Sequence, residues 1–259
     1  LMAIGFDAIR TREQKLLGPW EVQFNQVRSL RPKRAAGQRP GGIRAPFDDK
    51  GFHFNKPFLR KEIFWSGTLD GIEMDLLFNK FPFVDLHALL VPERRKKQPQ
   101  FLTEQRHRQV WDLCERYAPR LPGIGFGYNS YGAFASVNHL HFHLTLRASP
   151  LPILDRRWQH QGGPDAYPIG CQVVREPEAG WDLIDTLQDS GQAFNLIYTP
   201  GQLHCIARRP QGDYVLPDWC SGHSWYEFAG GMLCFDEARY LGLTAEDIRS
   251  AIALGTPPP

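Results

Sequence analysis

The clearest pattern in the chain is NHLHFHLTLR at residues 138–147, where polar and apolar positions alternate with a period of two. On an extended strand that period sends His139, His141, His143 and Thr145 to one face and Leu140, Phe142, Leu144 and Leu146 to the other. The same alternation predicts strands over Trp20–Val27, Glu62–Leu69, Glu73–Asn79, Leu86–Val91 and Ile124–Tyr128. Later strands are predicted at Ile169–Arg175, Asn195–Thr199, Leu203–Arg208 and Met232–Phe235. A period near 3.6 appears where Val110, Leu113, Cys114 and Tyr117 recur, so a helix is predicted from an N-cap at Thr103 to Tyr117, stopped by Pro119 and Pro122. Further helices are expected at Gly180–Gln188 and Thr244–Leu254, and residues 1–19 read as a lead-in, helical in part over Asp7–Leu17. A faint internal echo between LLFNKFPFVDLHALLVPERR and FNLIYTPGQLHCIARRP sets His87 against His204.

With 259 residues, 42% of them hydrophobic, the chain can bury a large core. Its 30 basic and 28 acidic residues leave a net charge of +2, which offers no general argument for a nucleic-acid or membrane partner. No apolar run approaches the ~20 residues of a membrane span, and the first residues show no apolar stretch behind a basic start. The five cysteines are an odd number without a C-x-x-C pair, which reads as reduced thiols in a cytoplasmic protein. One stretch stands apart: Arg28, Arg31, Lys33, Arg34, Arg39 and Arg44 lie in a Pro/Gly-rich loop without an acidic residue. It reads either as an ordinary solvated loop or as cations reaching a phosphate, with Arg28 and Arg34 the leading candidates.

The three same-face histidines admit several chemistries. Neutral imidazole is a nucleophile near pH 7, and its neighbours can donate to phosphate oxygens. H-x-H on a strand also presents ligands to zinc, with Asp85 or His87 available to complete a site. The preceding loop, GYNSYGAFASVN, shifts the balance towards phosphate. Gly132, Ala133 and Ser136 allow close approach of backbone amides to an anion, and Asn129 and Asn138 add side-chain donors. Cys220 and His223 have ligand spacing for a structural zinc with His204 and Cys205, but the last two alternate on a strand and point apart, so no metal ligand is assigned.

At these residues the chain resembles the histidine-triad superfamily, which carries three alternating histidines on a strand. FGYNSYGAFASVNHLHFH is more closely similar to the GDP-hexose phosphorylases, which act on GDP-L-galactose in plants and GDP-D-glucose in animals. QFNQVRSLRPKR, FDDKGFHFNKP and LLFNKFPFVDLHALLVPER resemble the opening and hairpin of those enzymes, while FNLIYT and FAGGMLCF are also similar to the diadenosine tetraphosphate phosphorylases. The resemblance implies an α+β fold, an antiparallel sheet flanked by helices, built as two histidine-triad-like halves. Residues 20–150 would be the catalytic half and 151–259 a degenerate half without a triad of its own. It implies His141 as nucleophile, His139 and His143 as its flanking partners, Asn79 at the ribose, and Gly132, Ala133 and Ser136 in the phosphate-binding turn. His87 would lie near the site. The chain departs from the family at two points. His143 stands where the plant enzymes carry Gln, and Leu86 stands where a Gly usually precedes the hairpin histidine.

The implied activity is nucleotidyl transfer from a nucleoside diphosphate sugar or dinucleoside polyphosphate to inorganic phosphate or a sugar phosphate. No cofactor is required, with Mg²⁺ entering only alongside the nucleotide, and the chain would act as a monomer or homodimer. A nucleotide hydrolase using water, a metal-dependent enzyme built on the histidine cluster, and a non-catalytic nucleotide binder remain as alternatives.

Overall fold

The computed structural model describes residues 11–25, 41–84, 86–220 and 222–258. Two strands open it, β1 (Thr11–Leu17) and β2 (Trp20–Asn25), joined by a tight turn at Gly18. The helix expected across residues 11–17 is therefore a strand: antiparallel pairing with β2 supplies its backbone hydrogen bonds, and that tertiary partner overrides local preference. The rest of that expected helix lies outside the described residues. Next come β3 (Ile63–Leu69), β4 (Ile72–Phe78) and β5 (Ala88–Pro92), then α1 (Glu104–Tyr117), β6 (Ile124–Asn129) and β7 (Phe142–Leu146). Thr103 caps α1 by accepting from the Arg106 amide, as its position ahead of the apolar stripe predicts. After β8 (Gln172–Val174) follow α2 (Pro177–Asp189) and the hairpin β9 (Phe194–Thr199) to β10 (Gln202–Ala207). The chain ends with α3 (Trp225–Phe228), β11 (Gly231–Cys234), α4 (Glu237–Gly242) and α5 (Ala245–Ala253).

Eight of these strands form one antiparallel sheet in the order β3-β4-β5-β7-β6-β9-β10-β8. Helices α1 and α2 pack on one face over Leu90, Phe126, Phe142, Leu196 and Leu203. The opposite face carries the histidines. It is covered at one end by Phe54 and Leu59, packed on Leu77 and Val91, and at the other by a larger core holding Trp20, Phe83, Trp158, Trp225 and Ile252. That second core is roofed by the small sheet β1-β2-β11, in which β11 runs parallel to β2. A buried ion pair between Arg147 and Glu21 (2.5 Å) ties the small sheet to the end of β7.

The register contains a repeat. Reading across six strands, Leu89, His143, Gly127, Ile197, His204 and Val173 are successive cross-strand partners. Directly opposed residues share a face, so this is one row on the histidine side of the sheet. About the β6–β9 junction the row is symmetric: β7 answers to β10, β5 to β8, and each outer pair follows its own helix-and-hairpin order. The counterpart of His204 is thus His143. The echo of His87 with His204 suggested by hairpin similarity is corrected, because β9–β10 stands in the place of β6–β7 and not of β4–β5.

Candidate active site

The ladder of β7 begins only at Phe142, so His139 and His141 precede it. Their backbone is instead held by the segment after β5. The Leu140 amide donates to the Gln98 carbonyl (2.9 Å), and the His141 amide donates to Gln100 Oε1 (3.0 Å). Gln100 is buried, with Nε2 donating to the carbonyls of Asn129 (2.9 Å) and His141 (3.2 Å). Sequence reading missed this residue. A lone Gln after Pro99 carries no motif, and its role exists only once the two segments are side by side.

His141 is 3% exposed and His139 1%, so neither ring stands on a solvated face. Residues 47–54 lie over them: the Phe54 ring packs on both imidazoles (5.4 and 5.1 Å between centroids), and Phe47 stands edge-on to His139 (5.1 Å). The His141 ring is oriented by its Nδ1, which lies 2.8 Å from the His139 carbonyl. A carbonyl only accepts, so the proton sits on Nδ1 and Nε2 keeps its lone pair. Burial lowers the His141 pKa to about 4, so the ring is neutral near pH 7. His139 has the opposite tautomer. Its Nδ1 accepts from the Phe54 amide (3.1 Å), which leaves the proton on Nε2, a buried donor without a hydrogen-bond partner among the described residues. Burial first, and then the neighbouring His141, lower its pKa to about 3.

His143 is half-buried and its Nδ1 lies 2.8 Å from His87 Nε2. The Asn79 amide reaches the same His87 nitrogen (3.1 Å), and Asn79 Oδ1 accepts from the Phe81 amide. The fold thus brings Asn79 and His87 to the triad as a chain ending on His143. Leu86, ahead of His87, adopts φ +46°, the left-handed conformation that glycine takes readily. The turn keeps that shape with a bulkier residue.

The loop before the histidines is divided in its use. Asn129 Oδ1 accepts from Asn195 Nδ2 (2.7 Å) and the Trp225 amide (2.8 Å), and Asn138 binds the carbonyls of Ala45 and Pro46. Both side chains are engaged by the protein. The Ala133 amide donates to Ser130 and the Phe134 amide to Gln211 Oε1, while Gly132 makes the turn at φ +92° and Ser136 is exposed. Arg28 and Arg34 lie outside the described residues. Among the described residues no three His, Cys, Asp or Glu side chains are grouped to hold a metal. His204 and Cys205 do point to opposite faces, into separate cores.

Two cavities flank the triad. A cleft of about 450 Å³ opens beyond Thr145 on the histidine face, lined by Gly125, Ile197, Leu151 and Trp225 among others. A basin of about 480 Å³ lies on the Phe54 side, lined by Asn55, Arg60, Arg94, Arg95 and Lys97.

Residues 15–145, which hold the triad, the hairpin and the covering segment, match the model of the GDPGP1-like N-terminal domain. The chain belongs to the GDPGP1-like family. GDPGP1-like relatives include GDP-D-glucose phosphorylase 1 of Danio rerio, 34% identical over 194 residues, a match that covers 70% of this chain and 55% of the relative. GDP-L-galactose phosphorylase 2 of Arabidopsis thaliana is 30% identical over 197 residues, covering 65% of this chain and 45% of that protein. The chain spans about half the length of the curated relatives it matches. Among solved structures, the yeast Ap4A phosphorylase Apa2 in complex with Ap4A superposes with a TM-score of 0.62 at 18% identity, over 96% of this chain and 92% of that one. The GDPGP1-like chain therefore has the fold of that phosphorylase. No helix among the described residues is long and apolar enough to cross a membrane.

Proposed function

We propose that this GDPGP1-like chain is a nucleotidyl-transferring phosphorylase acting on a nucleoside diphosphate hexose, with GDP-hexose the substrate suggested by its relatives. The observation that carries the reading is the tautomer of His141: a neutral, oriented imidazole whose Nε2 lone pair is unshared. In this scheme Nε2 attacks the α-phosphorus in line. The bond from that phosphorus to the bridging oxygen breaks, and hexose 1-phosphate departs. An oxygen of inorganic phosphate then attacks the nucleotidyl-histidine, Nε2 leaves with its electron pair, and the nucleoside diphosphate is released. His139, protonated on Nε2, donates to a non-bridging oxygen, where a fixed donor stabilises the developing charge. Asn79 and His87 act on His143: they orient its ring, and Asn79 retains a place near the ribose.

The division into a catalytic half (20–150) and a degenerate half (151–259) belongs to this proposal, supported by the symmetric register about β6 and β9. All five cysteines are free, in keeping with a cytoplasmic location. The His143–His87 pair favours one competing reading, since a protonatable pair there could activate water. Product analysis separates the two. With GDP-glucose or GDP-galactose at millimolar phosphate, GDP and hexose 1-phosphate are expected. GMP formed at a rate that phosphate leaves unchanged would make the chain a hydrolase.

A further inference from the structure

The segment that pins the histidines also builds the basic basin. Glu93 (φ +41°) and Lys97 (φ +54°) both adopt left-handed backbone conformations, one at each end of a single turn over Arg94–Lys96. Non-glycine residues hold such angles only where the surroundings enforce them. Here Glu93 is enforced from several sides: its carboxylate takes hydrogen bonds from Arg106 and Gln98 and an ion pair from Lys96, and its amide donates to the Glu73 carbonyl (2.8 Å). The loop is thereby fixed with Arg94, Arg95 and Lys97 around one cavity, and Arg60 and Asn55 complete the wall.

Charge in the basin is only partly balanced. Asp75 pairs with Arg94 (2.5 Å) and Asp49 with Lys97 (2.6 Å). Arg60 and Arg95 are exposed and have no carboxylate partner among the described residues. Two unpaired guanidinium groups on a fixed frame suit a phosphate dianion, since each guanidinium can give two parallel N–H bonds to a pair of its oxygens. The basin also adjoins the triad. Arg94 Nη1 donates to the Phe54 carbonyl (3.3 Å), the Phe54 amide donates to His139, and the Phe54 ring lies on His141. One residue separates the cationic wall from the reacting histidines.

We propose that this basin is a phosphate-binding site centred on Arg60 and Arg95, and that it seats the acceptor phosphate of the transfer reaction. The second statement rests on the function proposed above; the first does not. The same chemistry would accept inorganic phosphate or the phosphate of a hexose 1-phosphate.

Both sources are tested by calorimetric titration of the full chain with inorganic phosphate and, separately, with hexose 1-phosphate, at fixed ionic strength. The variant is R60A/R95A, with R120A/R249A as a control that removes the same charge from remote, exposed positions. Thermal melting establishes that both are folded. Saturable binding of at least one ligand is expected in the parent, weakened roughly tenfold or more in R60A/R95A and retained in the control. In turnover, R60A/R95A should raise KM for phosphate by a similar factor while KM for the nucleotide sugar rises less. Absence of saturable binding in the parent, equal weakening in both variants, or unchanged binding in R60A/R95A overturns the site. Binding lost in R60A/R95A, with no phosphate-dependent turnover in the parent, leaves the anion site standing and removes the phosphorylase reading.

Discussion

His143 and His204 occupy matching places in one row of the sheet, two strands either side of the β6–β9 junction, yet their surroundings differ completely. Around His143 lie other imidazoles, His87 and His141, and beyond them a basic basin. His204 is sealed. It is 0% exposed beneath a segment whose Leu151, Ile153 and Trp158 join the core, and Trp158 stacks on Trp20 (5.2 Å). Its contacts are Gln161 at Nε2 and the His160 ring, and Nδ1 has no partner among the described residues. The strand offers the same position twice. What covers it decides whether a histidine there stands among other imidazoles or is sealed in a core.

The largest expected effect sets His141 against His204. His141→Ala should reduce turnover by at least ~10³-fold, the scale of losing a nucleophile, in protein that still melts cooperatively. His204→Ala should change kcat and KM by less than about twofold. Comparable losses from both would mean that the two halves are equally functional.

Gln100 provides the next test, because its side chain holds the backbone of His141 ahead of the β7 ladder. Gln100→Leu leaves the His141 amide and the Asn129 carbonyl without partners, at a stability cost of about 1–3 kcal/mol. It also frees the His141 backbone, so kcat should fall roughly 10- to 100-fold with KM less affected. A stability loss with normal kcat would reduce Gln100 to a packing role.

At the junction, Gly127 is the counterpart of Ile197. A Cβ at Gly127 would lie 2.2 Å from the Trp225 ring, so only glycine lets this part of the second half close over β6. Gly127→Ala should cost about 1–3 kcal/mol in denaturant unfolding. A neutral result would show that Trp225 is free to move.

Acid stability draws on buried histidines of both halves. Burial lowers the His204 pKa to about 3, against about 6.5 in the unfolded chain. The unfolded state therefore binds the proton first. The stability due to neutral His204 is complete above pH 6.5 and is lost as pH falls towards 3. His139 and His141 act in the same direction. His204→Leu should flatten the fall in stability below pH 6.5 by at most about 1.4 kcal/mol per pH unit. An unchanged slope would mean that His204 takes up its proton without unfolding. The smallest effect concerns Leu86: glycine relieves its left-handed backbone, and Leu86→Gly should raise stability by about 1 kcal/mol or slightly less, since glycine also gains freedom in the unfolded chain.

Much of this was legible in the sequence. The strands from Ile63 to Ala207, with only His143 of the triad inside the ladder of β7, and the capped helix α1 followed from local periodicity. The burial of His139 and His141 did not follow from it, because it depends on Phe47 and Phe54, far upstream in the chain, folding over the residues that lead into β7. Gln100 and the Arg60–Arg95 basin were equally hidden, since each joins segments that share no pattern. The helix misread at Thr11–Leu17 has the same origin, its partner strand being what makes it extended.

In the proposed reaction His141 Nε2 takes the nucleotidyl group. The direct measurement mixes the chain with a GDP-hexose without phosphate, quenches in alkali, where a phosphoramidate survives, and locates any adduct by peptide mass spectrometry. One added guanylyl group is expected on His141, absent in His141→Ala, retained in His204→Ala and discharged by phosphate. Turnover without an adduct, or an adduct on another residue, would contradict it.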